Sequence, residues 1–441
     1  MFHELGRAAA RALFAGCVCI LLPGCPPPCV ESGTPVAGEV FQVDGFGTIA
    51  TLGQLGDTPI VGERINAAGT AVGYAYGWCD AEAFRWENGE VLRLDTLGGT
   101  GAHAFGINSH GQIVGTADTG RIATAALVPL WLVPVAEWRA VLWEDGQSIR
   151  LGDLAGTMGS GAAAINDAGQ IVGWAELPWG QDASVAQADE DATDAAAKMQ
   201  ARATSRMLPP RIPVLWEYVD GGWQATDLRA YGLGSATDIN NRGEIVGGSS
   251  EYASLWGPGR ALLWSDGVLT DLGTLGGENS GALAINDLGQ VVGLADTADF
   301  LDQSDYPQAV THAFLWHSGE MTDLGTLGGD ASIARDINNH AQIVGTSETG
   351  ELRGDPEPWY RIEHAFIWQD GKMTDLNALL PPGSGWEFLS AVAINDSGQI
   401  LAEADHDLGP DESGIPQGRL EYVVITLTPE ALQRASGAGQ P

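Results

Sequence analysis

Positive charge is scarce in this chain: 21 Lys and Arg stand against 57 Asp and Glu in 441 residues, a formal net charge of -36. That balance excludes a nucleic-acid role, because binding phosphates needs a basic footprint. It also excludes broad electrostatic docking on anionic lipid. Cysteines number only five, and they do not combine with histidines at metal-site spacing. The histidines from His103 to His406 keep no constant interval. No Gly-rich phosphate cradle with its lysine occurs, and no Gly-x-Ser-x-Gly elbow. The apolar run Ala12 to Leu22 falls short of the roughly 20 residues that a membrane-spanning helix takes.

Glycine and tryptophan are abundant instead, at 61 and 15 residues. Glycine is thus about twice its average usage, and with few charges this composition predicts many short strands joined by turns. An internal repeat bears this out at the level of sequence. Ile-Asn recurs at Ile65-Asn66, Ile107-Asn108, Ile165-Asn166, Ile239-Asn240, Ile285-Asn286, Ile337-Asn338 and Ile394-Asn395. Three residues after each Asn stands Gly, or Ala341 in one copy, followed by a Gln-Ile-Val-like strand. A second element ends in Trp86, Trp143, Trp216, Trp264, Trp316 and Trp368, and a third ends at a Thr-Asp-Leu-like motif such as Thr322-Asp323-Leu324. The Asn-x-x-Gly segments are hairpin turns in which Asn satisfies local amides and Gly takes positive φ. Each copy therefore supplies four short strands. The asparagines read as turn residues with no catalytic part.

At the amino end, Arg7 and Arg11 precede the apolar run, which closes in Leu22-Pro23-Gly24-Cys25. A basic region, a short apolar core and a small residue before the cleavage point form an export signal. The tetrapeptide resembles the lipobox of bacterial lipoproteins, which implies a signal peptide over 1–24 and lipidation of Cys25. Pro23 departs from that pattern, and simple secretion is the alternative. Residues 25–44 read as a Pro-rich stalk, and 429–441 as a disordered tail. Cys29 and Cys79 remain as a candidate disulfide for an oxidising compartment.

The Trp-ending strand, third of the four in each copy, reads His312-Ala313-Phe314 and His364-Ala365-Phe366 in two copies. Together with the Ile-Asn and Thr-Asp-Leu elements it resembles the HAF repeat family of bacterial extracellular proteins. The resemblance spans nearly all of the chain after the signal, although other copies replace the histidine (Glu82, Arg139, Ile212, Arg260). It implies an extracellular repeat protein of the cell envelope and brings no established reaction.

Seven four-stranded units can close into a ring or stack openly, and the chain ends discriminate. The repeat region opens at Thr51-Leu52 with a fourth-type strand that lacks a third, and closes over 420–427 with a third-type strand that lacks a fourth. Pairing them removes two exposed edges. The predicted fold is an all-β, seven-bladed β-propeller over 45–428, with an N-terminal strand completing the last blade and one helical insertion at about 183–206. From the small residue after Gln-Ile-Val to the next Trp the spacing runs from 13 to 43 residues, whereas Trp to the next repeated Ile takes only 21 to 26. Insertions thus collect in one connection, on one face, which is the candidate binding face. Asp57, Glu278 and Asp330 follow the inter-blade connections and are placed at the axial end of that face. The expected role is a non-enzymatic binding or scaffold module of the bacterial envelope. It would sit at the outer membrane or be secreted, touch membrane through its lipid alone and engage an envelope protein or glycan. The alternative is a polysaccharide hydrolase or lyase using axial carboxylates. No cofactor is implied beyond a structural or ligand-bridging divalent cation.

Overall fold

The computed structural model describes residues 34–55, 58–76, 81–128, 131–178, 209–250, 259–301, 308–353, 360–410 and 416–437. Cys25, Cys29, Asp57, Cys79 and the insertion at 183–206 lie outside them.

The repeats build seven antiparallel sheets whose strands follow chain order. Blade 1 spans 60–93, blade 2 102–150, blade 3 159–227, blade 4 235–271, blade 5 276–323 and blade 6 332–375. Blade 7 combines 386–427 with strands from the amino end. In every blade the Ile-Asn strand is innermost, and these strands touch one another around the ring, that of blade 7 against that of blade 1. Closure is as expected. Gly47–Thr51 pairs with Pro416–Leu427, setting Ala50 opposite Val424, and the Leu52 amide donates to the Tyr422 carbonyl at 2.9 Å.

Two ends of the chain differ from expectation. Within the presumed stalk, Val40–Val43 pairs with Gly47–Thr51 as a fifth strand of blade 7. The presumed tail holds the helix Pro429–Ser436. Its ends are well specified: the Thr428 hydroxyl accepts the Ala431 amide, Pro429 opens the first turn and Gly437 closes it at φ 72°. The helix buries Ala431 and Ala435 and receives the Thr374 hydroxyl at the Ala435 carbonyl, 2.9 Å.

The core lies between blades. Val72 and Ala83 of blade 1 pack with Ala104, Ile113 and Trp143 of blade 2, and the same pattern joins blade 7 to blade 1 through Leu401, Val424, Ile60 and Phe84. Each innermost strand carries a bulge just before its Ile-Asn, at Glu63, Phe105, Ala163, Thr237, Leu283, Arg335 and Val392. The bulge explains the glycine after Gln-Ile-Val. A methyl group at Gly115 would lie 1.9 Å from the His103 carbonyl oxygen, and the same holds at Gly73 against Val61.

Candidate functional site

Strand direction gives the disc two unlike faces. The Asn-x-x-Gly and Asp-Gly turns share one. The connection between second and third strands emerges on the other.

On the tight-turn face the seven repeated asparagines form a closed ring around the axis. Each Nδ2 donates to the backbone carbonyl of the Asn in the next blade, from Asn66 to Asn108 at 3.1 Å through to Asn395 back to Asn66 at 2.8 Å. Each Oδ1 also accepts the amide four residues on, as Gln170 to Asn166 at 2.9 Å. The residues that follow make a second, partial ring: Asp167, Asn241, Asp287, Asn339 and Asp396 each take part in amide-to-side-chain bonds of 2.8–2.9 Å. Asn241 and Asn339 stand between the carboxylates and donate to both neighbours. The Ser109 amide begins the series by donating to Asp167 at 2.9 Å, and Ala67 and Ser109 lack a side chain of the same kind. A cavity of about 210 Å³ fills this mouth.

Deeper in the channel the bulge positions bring charges together. Burial pushes the Glu63 carboxyl up to about 7, against the pull of Arg64, Arg335 and a hydrogen bond with Tyr74. Burial likewise raises Asp238 to about 6, opposed by Arg64 and the Ile285 amide, and raises Asp336. Burial works against the Arg64 charge, but Asp336, Asp238 and Glu63 outweigh it and hold Arg64 above its ordinary value. Asp238 spends both oxygens on backbone, accepting from Ile239 and, across the blade boundary, from Ile285 at 3.0 Å. Asp336 does the same with Ile337 and Ile394. These two carboxylates fasten neighbouring blades and share one arginine.

One arc of the wall is aromatic. Tyr74 meets Tyr76 at 4.9 Å and His103 at 4.6 Å; His103 stacks with Phe105, and Phe105 reaches Trp174 at 5.8 Å. Burial among these rings lowers His103 to about 4, so it is neutral at physiological pH. Burial, then Glu63, raises the Tyr74 hydroxyl.

On the opposite face, the middle strands of four blades run on past the inner strand as two-stranded arms: Ile113–Val128 with Trp131–Glu144, Val291–Leu301 with Gln308–His317, Ile343–Arg353 with Tyr360–Gln369, and Gln399–Pro410 with Pro416–Leu427. Among the described residues each arm holds a large apolar side chain in solvent. Ile122, Phe300, Leu352 and Leu408 are between 52% and 71% exposed. Others as exposed lie scattered, Val268 on an outer strand and Leu288 in a turn of the opposite face.

Of the acids singled out in the sequence, Glu278 lies exposed near the start of the inner strand of blade 5. Asp330 precedes the inner strand of blade 6 and is bound by Arg361, which also meets Glu348 at 3.4 Å. No hydrogen bond or ion pair joins the two among the described residues. Glu63, Arg64, Asp238, Arg335 and Asp336 escaped sequence reasoning. Their signal is polar side chains just before Ile-Asn in three copies, where the other four carry Phe105-Gly106, Ala163-Ala164, Leu283-Ala284 and Val392-Ala393. Among the described residues no group of three or more His, Cys, Asp or Glu is placed to hold a metal ion, and no helix is long and apolar enough to cross a membrane.

The HAF histidine has a structural partner. His312 and His364 bond Asp323 and Asp375 of the Thr-Asp-Leu motif at 2.9 and 2.7 Å. Arg260 with Asp271 and Glu82 with Arg93 occupy the same places with other charges.

No protein-family model matches the chain, and no curated protein does. Among solved structures, the β-propeller domain of the Trilobed protease from Pyrococcus furiosus, described as having an open velcro topology, aligns over 82% of this chain and 93% of its own, at 8% identity and a TM-score of 0.45. A protein of unknown function from Dyadobacter fermentans aligns over 74% and 95%, at 12% identity and 0.34. The acylaminoacyl peptidase of Pyrococcus horikoshii aligns over 81% and 58%, at 11% and 0.30. Similarity this distant says nothing of chemistry. By its own sheets and closure, the chain is a seven-bladed β-propeller with four-stranded blades.

Proposed function

We propose that this protein is an exported binding module of the bacterial envelope, lipid-anchored at Cys25, which engages a protein partner through the arm face. The observation that carries the binding role is the set of four arms, each lifting an apolar side chain into water on the same face. Desolvating such side chains on contact drives association, and large exposed apolar groups gathered on one face mark interaction surfaces. On the tight-turn face the asparagine ring at the axis is taken up by hydrogen bonds between blades, whereas the connections that vary most in length emerge on the arm face. Export and anchoring rest on the resemblance of Leu22-Pro23-Gly24-Cys25 to a lipobox. Loss of incorporated fatty acid in Cys25→Ala tests the anchor.

The binding role is tested by a photocrosslinking residue placed at Phe300 or Leu352 in the native host, with Leu288 on the tight-turn face as the comparison. A discrete protein adduct from the arm positions alone supports the proposal. Adducts of equal yield from Leu288, or none from either arm, refute it.

One observation favours a second reading, an axial polysaccharide hydrolase or lyase: Glu63, near pH 7 and hydrogen-bonded with Tyr74, is poised as a general acid. Against it, Asp238 and Asp336 are committed to backbone amides. Glycan cleavage abolished by Glu63→Gln would establish this reading in place of the first.

A further inference from the structure

On the tight-turn face, a cleft of about 520 Å³ opens beside the sixth and seventh blades, walled by Trp368, Gln290, Gln342, Gln369 and, on the C-terminal helix, Leu432. Its volume falls in the range of small-molecule sites. Three features mark it.

The first is the loss of a charge. In blades 2 and 3 the glutamine after the Asn turn donates to a carboxylate, Gln112 to Glu144 at 2.5 Å and Gln170 to Glu217 at 2.9 Å. In blade 6 the acceptor is Gln369, at 2.9 Å from Gln342, and Gln369 in turn donates to the Leu432 carbonyl at 2.7 Å. The helix thereby fixes a chain of neutral amides. Gln290 accepts from Asn286 at 2.7 Å, while its Nε2 donates to no group among the described residues. The second is the tryptophan. Trp86, Trp143, Trp216 and Trp316 are buried, at 9% exposure or less, whereas Trp264 and Trp368 are only partly covered, and Trp368 lends its ring to the cleft. The third is strain. Ala341 stands in the left-handed region at φ 58°, where the other six turns have glycine. A non-glycine residue is strained there, and such strain collects at ligand sites.

We propose that this cleft binds a short neutral saccharide. Amides supply paired donors and acceptors for hydroxyl groups, and an aromatic ring packs against the apolar face of a sugar. No Lys or Arg lines the cleft, which disfavours anionic ligands. Of its two carboxylates, Asp396 is already taken by the Asn339 amide and side chain, which disfavours a cation. The cleft lies on the face opposite the arms, so its failure would leave the proposed arm-face binding untouched.

The test titrates the full chain with short neutral oligosaccharides of glucose, mannose and galactose and with uronic-acid counterparts, by calorimetry and tryptophan fluorescence. Ser397, exposed in the turn that lines the cleft, is changed to Trp to fill it. His110→Trp makes the same change at the corresponding turn of blade 2. Saturable binding of a neutral sugar is expected, weakened at least about tenfold, or roughly 1.4 kcal/mol, by Ser397→Trp and not by His110→Trp. Gln290→Ala, which removes only the free donor, is expected to weaken it as well and serves if Ser397→Trp does not fold. Absence of saturation up to about 10 mM, equal binding of uronates, or indifference to both cleft variants overturns the proposal.

Discussion

Replacing Asn166 by Ala removes one link of the asparagine ring, and its cost can be worked from the contacts. The side chain donates to the Asn240 carbonyl at 3.0 Å and to Gln170 at 2.9 Å, and accepts the Gln170 amide at 2.9 Å. Asn166 and Asn240 are 3% exposed, so water cannot freely replace what is lost. A typical hydrogen bond contributes about 0.5–1.5 kcal/mol, and a buried group left without its partner costs about 1–3 kcal/mol. The stranded Asn240 carbonyl and Gln170 amide therefore bring the total to about 3–5 kcal/mol, roughly a fifth or more of the whole stability of an ordinary domain. Guanidinium unfolding followed by tryptophan fluorescence measures it, with an unchanged m-value as the condition for reading the midpoint as stability. A loss under about 1 kcal/mol at constant m would refute the reasoning, because it would mean that the ring bonds are idle and the blades are held by packing alone.

The remaining predictions concern the channel and the bulge. Glu63 is raised to about 7 from 4.5, so between those pH values the folded state holds a proton that the unfolded chain has released, and stability falls as pH rises through that window. Glu63→Gln should flatten the fall by roughly 1–3 kcal/mol; parallel stability–pH curves for variant and wild type would contradict the buried carboxyl. Gly115→Ala should destabilise by about 1–3 kcal/mol or more through overpacking against the His103 carbonyl, read as a lower unfolding midpoint, and no change would show that the bulge has room to spare.

The ring is legible in the sequence because the repeat period, the turn chemistry and the complementary ends all point one way. The channel is not. Glu63, Asp238 and Asp336 converge on Arg64, the two aspartates from strands far apart from it in the chain, and the bulge beside them leaves no mark in the alternation of residues. The asparagines were read as turn residues, which they are, but their bonds to the next blade span from 42 to 329 positions, beyond any local pattern. The helix at Pro429 was legible and overlooked: Thr428-Pro429 and Gly437 are start and stop signals. The pairing of Glu82 with Arg93 and Arg260 with Asp271 also stood in the sequence, as opposite charges at the spacing of His312 and Asp323.

Closure of the disc decides which face carries the arms, and thus where binding is sought. Thr48 lies opposite Thr426 in the seam between the two chain ends. Cysteines at both positions should form an intramolecular disulfide in the folded protein, giving a faster-migrating, looped chain on denaturing gels and a raised unfolding midpoint. Intermolecular disulfides alone, or two thiols that stay free under oxidation, would contradict the closed ring.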